Sequence, residues 1–141
     1  MKKAKRLSGV HYPYIKFHGL FYPLIPVVLK KGKKTVSTLA LLDSGASVSV
    51  FRPEIAKALG LSINGKNVRT LKSAGGGVAI HEISVGLDMG GASFSTRVGF
   101  SNQAVASFNI IGREGVFSRF SIVINEMMKT VILVPLKEFR T

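Results

Sequence analysis

The chain has 141 residues, of which 46 % are hydrophobic, which suits one domain with its own core and excludes global disorder. No cysteine is present, so disulfides, thiolate metal sites and a cysteine nucleophile are excluded. Lys and Arg number 20 against 7 Asp and Glu, a net charge of +13, and residues 1–42 hold nine of the basic residues and no acid.

Such a field attracts nucleic acid, anionic surfaces or acidic partners. Here it accumulates at Lys2, Lys3, Lys5, Arg6, Lys16, Lys30, Lys31, Lys33 and Lys34. No RNA-recognition, zinc-finger or helix-turn-helix pattern accompanies it, which favours a solvated basic tail and turn. The opening "MKKAKR" is followed by an apolar run, "GLFYPLIPVVL" (19–29), that starts late, holds two prolines and ends in "KKGKK" without a small-residue cleavage site. A span needs roughly 20 apolar residues. Neither a signal peptide nor a transmembrane helix is expected, and a cytoplasmic location is.

β signals dominate the rest. "HYPYIKF" (11–17) and "YPLIPVVLK" (22–30) read as strands, with Pro13, Pro23 and Pro26 confining them to edges or ends. "KKGKK" reads as a hairpin turn and "TVSTLALLD" (35–43) as the returning strand. "RPEIAKALG" (52–60) predicts a short helix, with Pro53 in its first turn, Gly60 past its end, and Ile55, Ala58 and Leu59 on one face. "KSAGGG" (72–77) reads as a pliable loop. "VAIHEISVGLD" (78–88) and "ASFSTRVGF" (92–100) form a hairpin about "MGG". "FNIIG" (108–112) is a short buried strand, "REGVFSRF" (113–120) one or two helical turns, and "RFSIVIN" and "KTVILVPL" a last hairpin. Short strands with two brief helices predict an all-β, closed barrel-like domain.

The chemistry concentrates in "LALLDSGASVSVF" (39–51), where one of only two aspartates sits inside the most hydrophobic segment. A carboxylate there costs several kcal/mol unless it is hydrogen-bonded or protonated. Taken alone, Asp43 closes its strand with an Asx-turn onto nearby backbone N–H groups. His11, His18 and His81 lack metal-ligand spacing, "SAGGG" lacks the Lys-Ser/Thr of a phosphate loop, and Ser44 is not in a Gly-x-Ser-x-Gly elbow.

Two apolar residues, then Asp43-Ser44-Gly45-Ala46 and a hydrophobic stretch, followed later by a glycine-rich loop and by "NIIGREGVF" (109–117), resemble the retropepsin-like aspartyl protease family in motif and in order over residues 22–135. The resemblance implies a homodimeric acid-protease fold over 22–141, preceded by a basic N-terminal segment, 1–21, with an edge strand. It implies Asp43 as the catalytic carboxylate, Ser44 holding the neighbouring loop, and Gly45 allowing close approach of backbone and substrate. Ala46, Ser47 and Ile111 would contact a peptide, a flap at Ala74, Gly75, Gly76 and Gly77 would cover it, and Gly112 and Arg113 would support the loop. No metal or cofactor is implied. Two carboxylates that close cannot both ionise, so they share a proton across a water. One motif supplies one aspartate, and Asp88, in a hairpin turn without the motif, does not supply the other, so the partner is a second copy.

The family's retroviral members carry an acid where this chain has Ser47, and that acid pairs with the arginine of the Gly-Arg element. Glu114, Glu54 or the second copy is the expected partner of Arg113. Val48, Val50, Ile80, Val105 and Phe108 are further candidate pocket walls. Two alternatives stand beside proteolysis. One is a non-catalytic binding or assembly module that keeps the fold. The other is contact of the basic N-terminal region with nucleic acid or an anionic surface.

Overall fold

The computed structural model describes residues 9–63, 68–73, 76–101 and 107–136. Among these residues the chain is mainly β, with one short α-helix. The strands are β1 (Val10–Pro13), β2 (Ile15–Phe17), β3 (Leu20–Tyr22), β4 (Leu24–Lys31), β5 (Lys34–Leu42) and β6 (Val50–Phe51). After helix α1 (Pro53–Ala58) come β7 (Val68–Ser73), β8 (Gly76–Met89), β9 (Ala92–Ser101), β10 (Asn109–Ile111), β11 (Phe120–Asn125) and β12 (Thr130–Pro135). The segment expected to form helical turns before β11 makes a single 3-10 turn, Phe117–Arg119.

Seven strands form one sheet in the order β4-β5-β10-β6-β9-β8-β7, and β4 pairs again with β8, Val28–Lys30 lying against Gly86–Asp88. Two pairings are parallel, β5 with β10 and β6 with β9. Alternation along β4 sends Ile25, Val27 and Leu29 inward, where Phe51, Leu87, Phe100 and Leu133 meet them, all essentially fully buried. Each such side chain contributes about 1.5–3 kcal/mol. Pro26 sits in the stretch of β4 that β8 does not reach. β4 is an edge there, and an absent N–H breaks no ladder.

The expected strand over 11–17 is in fact two. Tyr14 drops into the core between β1 and β2 and donates its N–H to the Lys129 carbonyl at 2.7 Å. β1 pairs with β12 at one edge of the sheet β1-β12-β11, and the Tyr12 hydroxyl accepts the Gly90 N–H at 3.1 Å. The first residue of the expected strand 22–30, Tyr22, falls in β3, which among the described residues pairs with β2 alone, through a turn at His18 and Gly19, both at positive φ. A two-residue turn of this hand matches strand twist, but His-Gly is not a turn pair that stands out in a sequence.

α1 begins at Pro53 and is followed by Gly60 at φ +70°. Its inward residues are Ala56 and Leu59, whereas Ala58 is exposed. One turn of helix carries Ile55 to Leu59, and Ala56 flanks that stripe while Ala58 lies on the far side.

The β4–β8 seam is reinforced by Lys30 Nζ against Asp88 Oδ2 at 2.6 Å. Lys30, and then Ser93, hold the Asp88 carboxyl below its ordinary pKa. A depressed folded value stabilises above the unfolded carboxylate range, and the contribution disappears as pH falls through the folded value. Asp88→Asn is therefore expected to lower Tm modestly at neutral pH, as suits a part-exposed pair, with the gap to the parent closing in acid. Thermal melts across a pH series check this, and a gap that widens in acid refutes it.

Candidate active site

β5 ends at Leu42, and the chain turns, runs past β10 and returns as β6 on β10's other side, with Ile110 opposite Val50. The turn that carries Asp43 is thus wrapped around a three-residue strand. Asp43 donates its N–H to the Ile111 carbonyl at 3.0 Å and accepts the Ala46 N–H on its own carbonyl at 3.2 Å. Its carboxylate Oδ1 accepts the Gly45 N–H at 2.9 Å. This is the Asx-turn that the residue types alone predict, and it fixes the carboxylate's orientation. A Cβ at Gly45 would lie 3.2 Å from the same oxygen, so glycine lets the backbone approach it.

The turn is then fastened to the segment after β10. Arg113 donates its N–H to the Ala46 carbonyl at 2.9 Å, and Glu114 to the Ser47 carbonyl at 2.8 Å. The Gly112 N–H goes to Ser49 Oγ at 3.0 Å, in a buried pocket. A Cβ on Gly112 would stand 2.5 Å from both the carbonyl carbon and oxygen of Val48, closer than any real contact. The glycine is dictated by space between two backbones.

Asn109 completes the frame. Buried on β10, it accepts the Arg52 N–H on Oδ1 at 2.8 Å and donates from Nδ2 to Thr38 Oγ1 and the Leu39 carbonyl, each at 3.1 Å. Neither Ser49 nor Asn109 was anticipated from the sequence. The signal is a small polar residue in the middle of an apolar run, since buried polar atoms need partners.

Asp43 opens onto a cavity of about 600 Å³. Gly45, Ala46 and Ser47 of the turn line it, with Val48, Val50 and Phe108 as apolar wall. Thr70, Leu71 and Lys72 of β7 and Val78 and Ile80 of β8 form the facing side. Ile110 lines the cavity, whereas Ile111 is fully buried in the core. Successive strand residues face opposite sides, so Ile110 turns to the cavity and Ile111, expected to contact a peptide, turns to the core. Ser44 is exposed. Gly76 and Gly77 belong to β8, paired with Ser73 and Lys72. Ala74, Gly75 and Val105 lie outside the described residues, as do residues 1–8 with their four basic side chains.

Arg113 is exposed, and the two carboxylates expected for it serve other arginines. Glu54 meets Arg52 at 3.2 Å, and Glu114 meets Arg69 at 3.1 Å. Among the described residues, no group of three or more His, Asp or Glu side chains could hold a metal, and no helix is long and apolar enough to cross a membrane.

Compared with known proteins, residues 25–114 match the model of a family described as aspartyl protease. That span contains the Asp43 turn, the β7–β8 hairpin and the Ile110-Ile111-Gly112-Arg113 segment. No curated protein matches the chain.

Proposed function

The chain belongs to the aspartyl protease family, and from that membership we propose that it is an endopeptidase whose catalytic aspartates are the two Asp43 residues of a homodimer. The observation that carries this reading is the Asp43 carboxylate, oriented by the Gly45 N–H at the cavity wall. One chain offers one such group. The other aspartate, Asp88, is engaged by Lys30 on the β4–β8 seam. A second carboxylate of the same kind therefore comes from a second copy.

In this mechanism the ionised member of the pair takes a proton from a water that attacks the peptide carbonyl, and the protonated member donates to the carbonyl oxygen. Ser44 ties the two catalytic turns together, and Ala46 and Ser47 contact the peptide backbone. The β7–β8 hairpin, to which Gly76 and Gly77 belong, is the flap. It adds an extended peptide as a further strand and excludes water. The β4–β8 pairing supports a sheet closed into a barrel beneath the site.

Cleavage of a peptide library, run alongside sedimentation over a range of protein concentrations, tests the proposal. Specific activity is expected to rise in proportion to the dimer fraction. Cleavage by the monomer would overturn the shared dyad. A stable dimer that cleaves nothing would favour a non-catalytic assembly module on the same fold.

A further inference from the structure

The hairpin that faces Asp43 is held by little. Among the described residues, β9 accompanies β8 as far as Ile80, opposite Ser101, and β7 is the last strand of the sheet. Among the described residues, Gly77–Ala79 therefore have β7 as their strand partner. A two-stranded ribbon is marginal by itself and twists readily. Something at its base has to set its height above the cavity.

Arg69, near the start of β7, reaches in two directions. Its Nη1 lies 3.1 Å from Glu82 Oε1 on β8, and Glu82 is shared with Arg97 of β9 at 3.7 Å. The same guanidinium forks onto Glu114, with Nη1 to Oε2 at 3.1 Å and Nη2 to Oε1 at 3.4 Å. A bidentate arginine–carboxylate pair fixes direction as well as distance. Glu114 is also the residue whose N–H holds the Ser47 carbonyl at 2.8 Å. One residue thus grips the Asp43 turn with its backbone and the hairpin with its side chain.

We propose that the Arg69–Glu114 pair is a positioning clasp that holds the β7–β8 hairpin at its working height over Asp43 and so favours productive binding of an extended peptide. The proposal rests on the protease reading and adds a control that the reading does not require. The side chains of Arg69 and Glu114 are 41 % and 57 % exposed. A pair this open adds little to global stability, but it acts on a ribbon whose alternative positions differ by little. Its effect appears in binding more than in unfolding.

Arg69→Gln and Glu114→Gln are each expected to raise KM by about twofold to fivefold, the most a pair of this exposure can bias, with kcat nearly unchanged and Tm close to the parent's. The double variant, Arg69→Gln with Glu114→Gln, is expected to raise KM no further than Arg69→Gln alone, whereas a direct contact between Arg69 and substrate would leave Glu114→Gln without effect. Raising the salt is expected to bring the parent's KM toward that of Arg69→Gln, because exposed pairs are screened. Hydrogen exchange gives a readout independent of cleavage. Amides of β7 and of Gly76–Ile80 are expected to exchange faster in both single variants, with β4 and β5 unaffected. Unchanged KM together with unchanged exchange would overturn the clasp, as would single variants whose effects add in the double one. If the parent cleaves nothing, the protease reading fails while the exchange comparison still decides the clasp.

Discussion

Asp43→Asn is expected to lower kcat/KM by about 10³-fold or more while leaving the fold intact. The two halves of that expectation have separate causes. An asparagine keeps an Oδ1 that accepts the Gly45 N–H, so the bond seen at 2.9 Å survives, and with it the turn. The backbone bonds from Asp43 to Ile111 and from Arg113 to Ala46 do not involve the side chain. Asparagine cannot take or share a proton, and in a homodimer one substitution removes both members of the pair. Acid–base catalysis by a positioned side chain is worth about 10²–10⁴-fold, and groups that act as a unit are lost together. The parent's kcat/KM should follow a bell-shaped pH profile, one limb for each protonation state of the pair. Whatever activity the variant keeps should lack that shape. Melting curves that overlay the parent's, together with peptide cleavage, provide the check. A variant within about tenfold of the parent would remove Asp43 from the mechanism.

Gly112→Ala is expected to destabilise the protein by at least about 3 kcal/mol, because overpacking typically costs 1–3 kcal/mol and here the obstacle is backbone. The new Cβ would meet the Val48 carbonyl at 2.5 Å. To relieve that contact, the segment after β10 must separate from the Asp43 turn. Separation strains the Arg113–Ala46 and Glu114–Ser47 bonds and the Gly112 bond to Ser49. For a chain of this size the loss corresponds to a fall in Tm of roughly 10 °C, with cleavage reduced even where the protein stays folded. Gly86→Ala is the control, since its Cβ would come no closer than 3.4 Å to Lys30. Calorimetry on both variants decides the point, and equal melting temperatures would show that the turn can shift away from β10 without cost.

Much of the architecture was legible because its causes are local. Aromatic and β-branched residues marked β4, alternation marked β8, the turns before them marked β5 and β9, the Pro53 and Gly60 pair bracketed α1, and apolar runs marked β10 to β12. Misreadings arose where local signals were weak. Residues 64–71 gave no strand expectation, yet Val68–Ser73 forms β7, which the β8 edge organises by pairing. The hairpin of β2 and β3 turns on His18 and Gly19, without the Asn-Gly or Asp-Gly signature. At the site, the choice between Ile110 and Ile111 depends on the register of a strand held between two others, and a sequence shows alternation without showing which face is which.

The sequence by itself determined the ordered motifs and the lone aspartate in an apolar segment. Each follows from residue chemistry within a few positions along the chain. Only the tertiary structure decided which carboxylates belong to which arginines. Glu114 turned to Arg69 and Glu54 to Arg52, leaving Arg113 outward. It also decided why Gly112 must be a glycine, since Val48 is 64 residues distant in the chain and 2.5 Å from where a Cβ would stand. Ion pairs and close backbone contacts depend on distances through space, and those are set only when β10 is placed between β5 and β6.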